Sequence, residues 1–169
     1  VELAAVNALG EREFVERFGS VFEHSPWVAR RVWRKRPFRS LDALHAAMMQ
    51  ALAEAKKEEQ LALVRAHPEL AGAEAKQGVL TVDSSSEQGR LGFLQLTREQ
   101  IEAMERLNRR YRDRHGFPCI VALRLHAARE SVIAEMERRA GNDSTTELKN
   151  AFEQIGHITR GRLAKIIDG

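Results

Sequence analysis

His67 stands directly before Pro68, and twenty residues further on a carboxylate and a carboxamide, Glu87 and Gln88, follow the serines Ser84, Ser85 and Ser86. These residue types handle protons. An imidazole, with an unperturbed pKa of about 6.5, accepts and releases one near neutral pH, and a carboxylate beside it can set its tautomer or hold a substrate hydroxyl. Arg162 is the third residue of interest. Leu148, Ile155 and Arg162 recur at sevens, with Phe152, Ile158 and Ile166 beside them, so the guanidinium falls on or near an apolar stripe. A cation there runs its stem to the rim, pairs with a buried carboxylate, or binds a ligand. On spacing alone, His-Pro reads more simply as a helix stop and Ser-Ser-Ser-Glu-Gln as a helix cap.

The elements that must carry these side chains are helical. Proline disfavours helical geometry at the residue before it, so a helix through Leu61, Val64 and Arg65 should stop at about His67. Ser84 with Glu87, or Ser85 with Gln88, fits a capping box at the start of a helix reaching about Leu94. A long loop should join the two, with a short helix over residues 71–77; loops of that length are often binding segments. Upstream, Phe14, Val15, Phe18 and Phe22 mark a helix over Glu11 to Phe22. Ser25-Pro26 starts another that ends at Pro37, and Ser40 caps a third carrying Leu41, Leu44, Met48 and Leu52. Downstream, Thr97 and Gln100 form a capping box for a helix through Ile101, Met104, Asn108 and Tyr111 that ends at His115-Gly116. Phe117-Pro118-Cys119-Ile120 is too apolar for a surface connection and reads as a buried extended crossing. Helix resumes from about Ile120 to Arg139, and Ser144 with Glu147 caps the last one, to about Ile167.

The chain has 169 residues, 43% hydrophobic and 30% charged, with 11 Gly and 4 Pro. That is the balance of one soluble helical domain, large enough to build a core without disulfides or metals. No apolar run reaches membrane-spanning length, and the opening VELAAVNALGEREF has no secretion signal. One cysteine, Cys119, suits a reducing compartment, so a cytoplasmic location is expected. There is no HExxH, CxxC or glycine-rich phosphate loop, and hence no metal is expected.

Taken together, His67-Pro68-Glu69-Leu70-Ala71-Gly72, Ser84-x-x-Glu87-Gln88, Asn108-x-x-Tyr111 leading to Gly116-Phe117-Pro118, and Arg162-Leu163 resemble one family over nearly the whole chain. It is the decarboxylase family acting on 2-oxo-4-hydroxy-4-carboxy-5-ureidoimidazoline (OHCU), which completes the route from uric acid to allantoin. The resemblance implies an all-α, single-domain irregular bundle over 1–169, of about seven to nine helices. It also implies a homodimer, a small anionic substrate and no cofactor. It carries catalytic roles onto His67 and Glu87, and substrate contacts onto Pro68, Ser84, Gln88, Phe117, Cys119, Ile120 and Arg162. Two positions depart from the family pattern: His115, where Phe is common, and Cys119, where a bulkier aromatic often stands.

The net charge of +3 and the basic run Arg30 to Arg39, RRVWRKRPFR, leave a second class open, a helical nucleic-acid-binding or interaction module without catalysis. Binding that weakens steeply with salt would mark it. It does not account for HPELAG, SSSEQ and Arg162 occurring together, and a solvated helix face explains the run more simply.

Overall fold

The computed structural model describes residues 1–168, and among them the regular structure is all helical. Ten α-helices occur, three of them only five or six residues long. They are α1 (Leu3–Ala8), α2 (Glu11–Phe18), α3 (Trp27–Val32), α4 (Leu41–Glu54), α5 (Lys57–Arg65), α6 (Ala73–Gln77), α7 (Val82–Arg90), α8 (Arg98–His115), α9 (Arg129–Ala140) and α10 (Ser144–Ile166). Two 3-10 turns, Trp33–Lys35 and Leu123–Leu125, complete the set. None of the described helices is long and apolar enough to cross a membrane. The chain divides into two compact units, residues 1–66 with the stretch from Gly156 onward, and residues 67–155.

In the first unit, Phe14 and Phe18 lie on one face of α2, their ring centroids 4.8 Å apart, and Phe14 stacks on Phe38 at 6.3 Å. The α2 helix stops at Phe18, one turn before the expected end. Gly19 and Ser20 are weak helix formers, and Val21 and Phe22 reach the core from the turn that follows. Ser40 caps α4 as its pattern predicts, its hydroxyl accepting the Ala43 N–H at 2.9 Å. Ser25 does not cap α3; its hydroxyl donates to the Glu23 carbonyl at 2.9 Å.

Two residues of the basic run, Arg31 and Arg36, are committed within this unit. Arg36 donates to the carbonyls of Trp33, Asn7 and Leu9 at 2.8, 3.0 and 2.7 Å and lies over the Trp33 ring. Arg31 stacks on Trp27 and pairs with Glu59. Two of its guanidiniums therefore serve the fold and not a phosphate stripe.

In the second unit α8 is the spine. Thr97 and Gln100 cap it reciprocally, at 2.8 and 3.2 Å, and Gly116 ends it in the left-handed conformation at φ 76°, both as the sequence predicts. Its buried face is Met104, Asn108, Tyr111 and His115, a three-and-four spacing that mixes polar with apolar groups. His115 takes an aromatic's place, stacked 6.0 Å from Phe117 and tilted 4.5 Å from Tyr111, with Nδ1 2.8 Å from the Ser144 hydroxyl. The next segment, residues 117–122, is buried throughout and in neither helix nor strand. The α-helix does not resume at Ile120 but, past the 3-10 turn, only at Arg129; side chains from elsewhere bond the Ile120 carbonyl and the Ala122 N–H. The last helix is also capped differently. Asp143 accepts the Thr146 N–H at 2.8 Å, while Glu147 is fully buried.

Candidate functional site

His67 follows the last turn of α5 and is buried, its neighbour Pro68 half-buried. The HPELAG loop it opens is held by polar side chains. Gln88 Oε1 accepts the Ala71 N–H at 2.9 Å, and Gln88 Nε2 lies 3.4 Å from the Glu69 carbonyl. Asn108 Nδ2 donates to the Leu70 carbonyl at 2.9 Å, and Arg112 binds the Glu69 carboxylate at 2.6 Å. Ala71 adopts a positive φ of 51°, which costs energy for a residue with a Cβ, so these bonds hold a conformation the loop would not favour alone.

The α7 helix begins earlier than either expected capping box. Thr81 is the cap, its hydroxyl accepting the Ser84 N–H at 3.3 Å. Moving the start upstream puts Ser84 and Gln88 inside the helix four residues apart, both buried, with Glu87 half-buried at the edge of the same face. The serine run is thus a helix face and not a cap. Through Gln88, the two motifs that stand out in the sequence are clasped together.

The tie continues beyond them. Arg90, at the end of α7, donates to the carbonyls of Leu123 and, at 2.9 Å, His126. Gln154 accepts the Ala122 N–H at 2.8 Å. Arg139 on α9 donates through Nη1 to the Ile120 carbonyl at 2.6 Å and through Nε to Glu147 Oε1 at 2.9 Å. Glu147 also accepts from the Tyr111 hydroxyl at 2.5 Å, Asn142 at 3.0 Å and Asn150 at 2.7 Å. Burial alone would raise the Glu147 pKa; the hydrogen bonds and the Arg139 charge outweigh it and hold the carboxyl below its usual range. Tyr111 and Asn108 are one turn apart on α8, so the path returns to the HPELAG loop. His67, Pro68, Ser84, Glu87, Gln88, Phe117, Cys119 and Ile120 all lie on this one circuit of loop, α7, crossing segment, α9, α10 and α8.

Cys119, in the crossing segment, is buried and its thiol is pushed up to about 12, first by burial. No group of three or more His, Cys, Asp or Glu among the described residues is placed to hold a metal ion. A cleft of about 280 Å³ opens beside the HPELAG loop, lined by Glu69, Gly72, Lys76, Glu105, Asn108 and Arg112 among others. Its Lys76 and Arg112 are paired with Glu105 and Glu69, and Arg109 is its third cation.

Arg162 belongs to the other unit and is 3% exposed. Of the fates the sequence left open, pairing with a buried carboxylate is observed: Nη1 lies 2.8 Å from Glu23 Oε2 and 3.3 Å from the Val21 carbonyl. Glu23 itself is 1% exposed.

Sequence reasoning singled out Asn108 and Tyr111 but missed Glu23, Arg139 and Glu147. For two of these a signal exists. Val132, Met136 and Arg139 share a helical face, and Glu147, Ala151 and Ile155 recur at fours, so each charge sits on an apolar stripe as Arg162 does. Glu23, between helices, has no such periodicity.

Residues 7–164 match the family model described as OHCU decarboxylase. A 2-oxo-4-hydroxy-4-carboxy-5-ureidoimidazoline decarboxylase of Haloferax volcanii is 40% identical over 163 residues, covering 96% of this chain and 94% of that one. That of Amia calva is 36% identical over 167 residues, covering 99% and 95%. A crystal structure of (S)-allantoin synthase superposes with a TM-score of 0.79 at 27% identity; it covers 99% of this chain, which spans 55% of that longer protein. With a family match over residues 7–164 and relatives of this identity along nearly their whole length, the chain belongs to the OHCU decarboxylase family.

Proposed function

We propose that this enzyme decarboxylates OHCU to (S)-allantoin in uric acid degradation, as one domain over 1–169, with His67 and Glu87 as its catalytic residues. The bond between the Ala71 N–H and Gln88 carries the reading. It ties the loop that His67 opens to the helix bearing Ser84 and Glu87, which supports an imidazole and a carboxylate twenty residues apart in sequence acting together.

The chemistry needs little beyond orientation and one proton. The carboxylate of OHCU sits on a ring carbon that also bears a hydroxyl and adjoins a C=N bond. When the bond to the carboxylate breaks, carbon dioxide leaves and the electron pair moves toward that imine. The hydroxyl becomes a carbonyl and gives up its proton, the former imine nitrogen takes one, and the carbon bearing the ureido group takes another, a net uptake of one proton. The ring itself is the electron sink, so no cofactor is invoked. His67 moves the proton, drawing it from the hydroxyl or delivering it to one face of the carbon, while Glu87 orients His67 or binds the hydroxyl.

The remaining assignments concern binding. Pro68, Ser84, Phe117, Cys119 and Ile120 line the substrate, with backbone N–H groups near Cys119 and Ile120 meeting its polar edge. Gln88 contributes one Nε2 hydrogen, its carbonyl oxygen being committed to Ala71. Arg162 binds ring or ureido carbonyls. A cation clamped on the departing carboxylate would stabilise the ground state more than the transition state. Glu23 supports this assignment, because its charge offsets the guanidinium and leaves it a hydrogen-bond donor more than a net cation. A homodimer in the cytoplasm completes the proposal, checked by sedimentation of the purified protein.

The test is to supply freshly generated OHCU and follow the optical activity of the allantoin formed. Spontaneous decay gives a racemate, and a chiral pocket gives one enantiomer. Racemic product at the spontaneous rate would overturn the proposal.

A further inference from the structure

Residues 117–122 are buried and lie in neither helix nor strand, and apart from the Ala122 carbonyl, which accepts the Leu125 N–H of the 3-10 turn at 3.1 Å, the bonds to their backbone come from side chains of other elements. A buried carbonyl must find a donor, and that of Ile120 finds the guanidinium of Arg139 at 2.6 Å. The peptide joining Ile120 to Val121 is thereby held as a plane, and the next plane is held by the bond from the Ala122 N–H to Gln154 at 2.8 Å. Two successive planes fixed from outside set the direction of the backbone N–H groups just before them.

Arg139 is itself immobilised. Glu147, 0% exposed, binds its Nε and is held in turn by Tyr111, Asn142 and Asn150. Stability is a weak explanation for such a pair, because a buried ion pair can commonly be replaced by apolar side chains of similar size at no loss. A planar guanidinium offers what an apolar residue cannot, two donors in fixed relation that bind a carboxylate on one edge and a carbonyl on another.

We propose that Arg139 and Glu147 are positioning residues of the decarboxylation, holding the Cys119 and Ile120 backbone so that its N–H groups meet the substrate. This rests on the function proposed above. Neither side chain touches the reacting atoms; both act through the peptide of Ile120.

The experiment compares wild type with Arg139→Met/Glu147→Leu, which removes both charges together, and with Tyr111→Phe, which removes one hydroxyl from Glu147 and leaves the ring. Folding is followed by thermal unfolding, and kcat and KM are determined separately on OHCU. The double variant is expected to fold and to raise KM by about tenfold or more while kcat falls by less than about threefold, with Tyr111→Phe shifted the same way by a smaller factor. A purely structural role would lower the fraction of active enzyme, reducing apparent kcat and leaving KM unchanged. Unchanged KM in both variants beside an active wild type overturns the inference alone. A wild type without activity overturns the proposed function, and the inference with it. If the double variant does not fold, the Tyr111→Phe kinetics decide the matter.

Discussion

The ion pair between Glu23 and Arg162 allows a test that needs no substrate. Both side chains are almost fully buried, 1% and 3% exposed, with 2.8 Å between Oε2 and Nη1. At that depth each charge has given up most of its hydration and relies on the other. Replacing Glu23 with Met removes the carboxylate that faces the guanidinium, and Arg162→Met removes the cation that faces the carboxylate. Each should cost about 3 to 5 kcal/mol, a third or more of the roughly 5 to 15 kcal/mol that holds a typical domain folded. For a chain of this length that corresponds to a fall in Tm of about 6 to 20 °C. Glu23→Met with Arg162→Met removes both charges and leaves apolar stems of similar volume. It should unfold within about 1 kcal/mol of wild type, giving a coupling energy of at least about 5 kcal/mol in a double-mutant cycle read by urea denaturation. Single substitutions costing under about 1 kcal/mol, or a double variant whose loss equals the sum of its parts, would refute the reasoning that each charge is there for the other.

Three further outcomes are expected. His67→Asn and Glu87→Gln should each lower kcat by about 100-fold or more in folded protein, as loss of a positioned proton carrier does; near-normal turnover in either would remove its catalytic role. His45 has its pKa lowered from the ordinary 6.5, first by burial and then by the charge of Arg160, so its unfolded form takes up a proton before the folded one. Its contribution is complete above pH 6.5 and declines as pH falls below it, and His45→Gln should flatten the loss of urea stability between pH 7 and pH 5. Cys119, buried and with its thiol pushed up to about 12, should resist iodoacetamide at pH 8 in native protein and react once unfolded. Rapid native labelling would contradict its placement.

The long helices were the legible part of the chain. Thr97, Gln100 and Gly116 delimit α8 because capping and left-handed termination depend on residue type at fixed spacing, and Ser40 marks α4 for the same reason. Where several hydroxyls compete, that information fails. Thr81 takes the cap of α7 from Ser84 and Ser85, because the earlier start turns Ser84 and Gln88 inward together. Asp143 likewise takes the cap of α10 and leaves Glu147 to the interior. Residues 120–123 read as helix because a short apolar run has no period that separates a buried extended segment from a buried helix. Of the candidate site, the motif residues were visible as local oddities. What joins them, Gln88 to Ala71 and Arg139 to Ile120, consists of contacts between residues seventeen and nineteen apart, which no local pattern encodes.

The crossing segment has a consequence for what deuterium would report. Amides outside regular structure ordinarily exchange with solvent in seconds, yet the Ala122 N–H is wholly enclosed and bonded to a side chain on α10. Its label should persist as long as those of the helices around it, released only when Gln154 lets go in a larger opening of that part of the molecule. A stretch classed as coil would then behave, on the timescale of isotope exchange, as core.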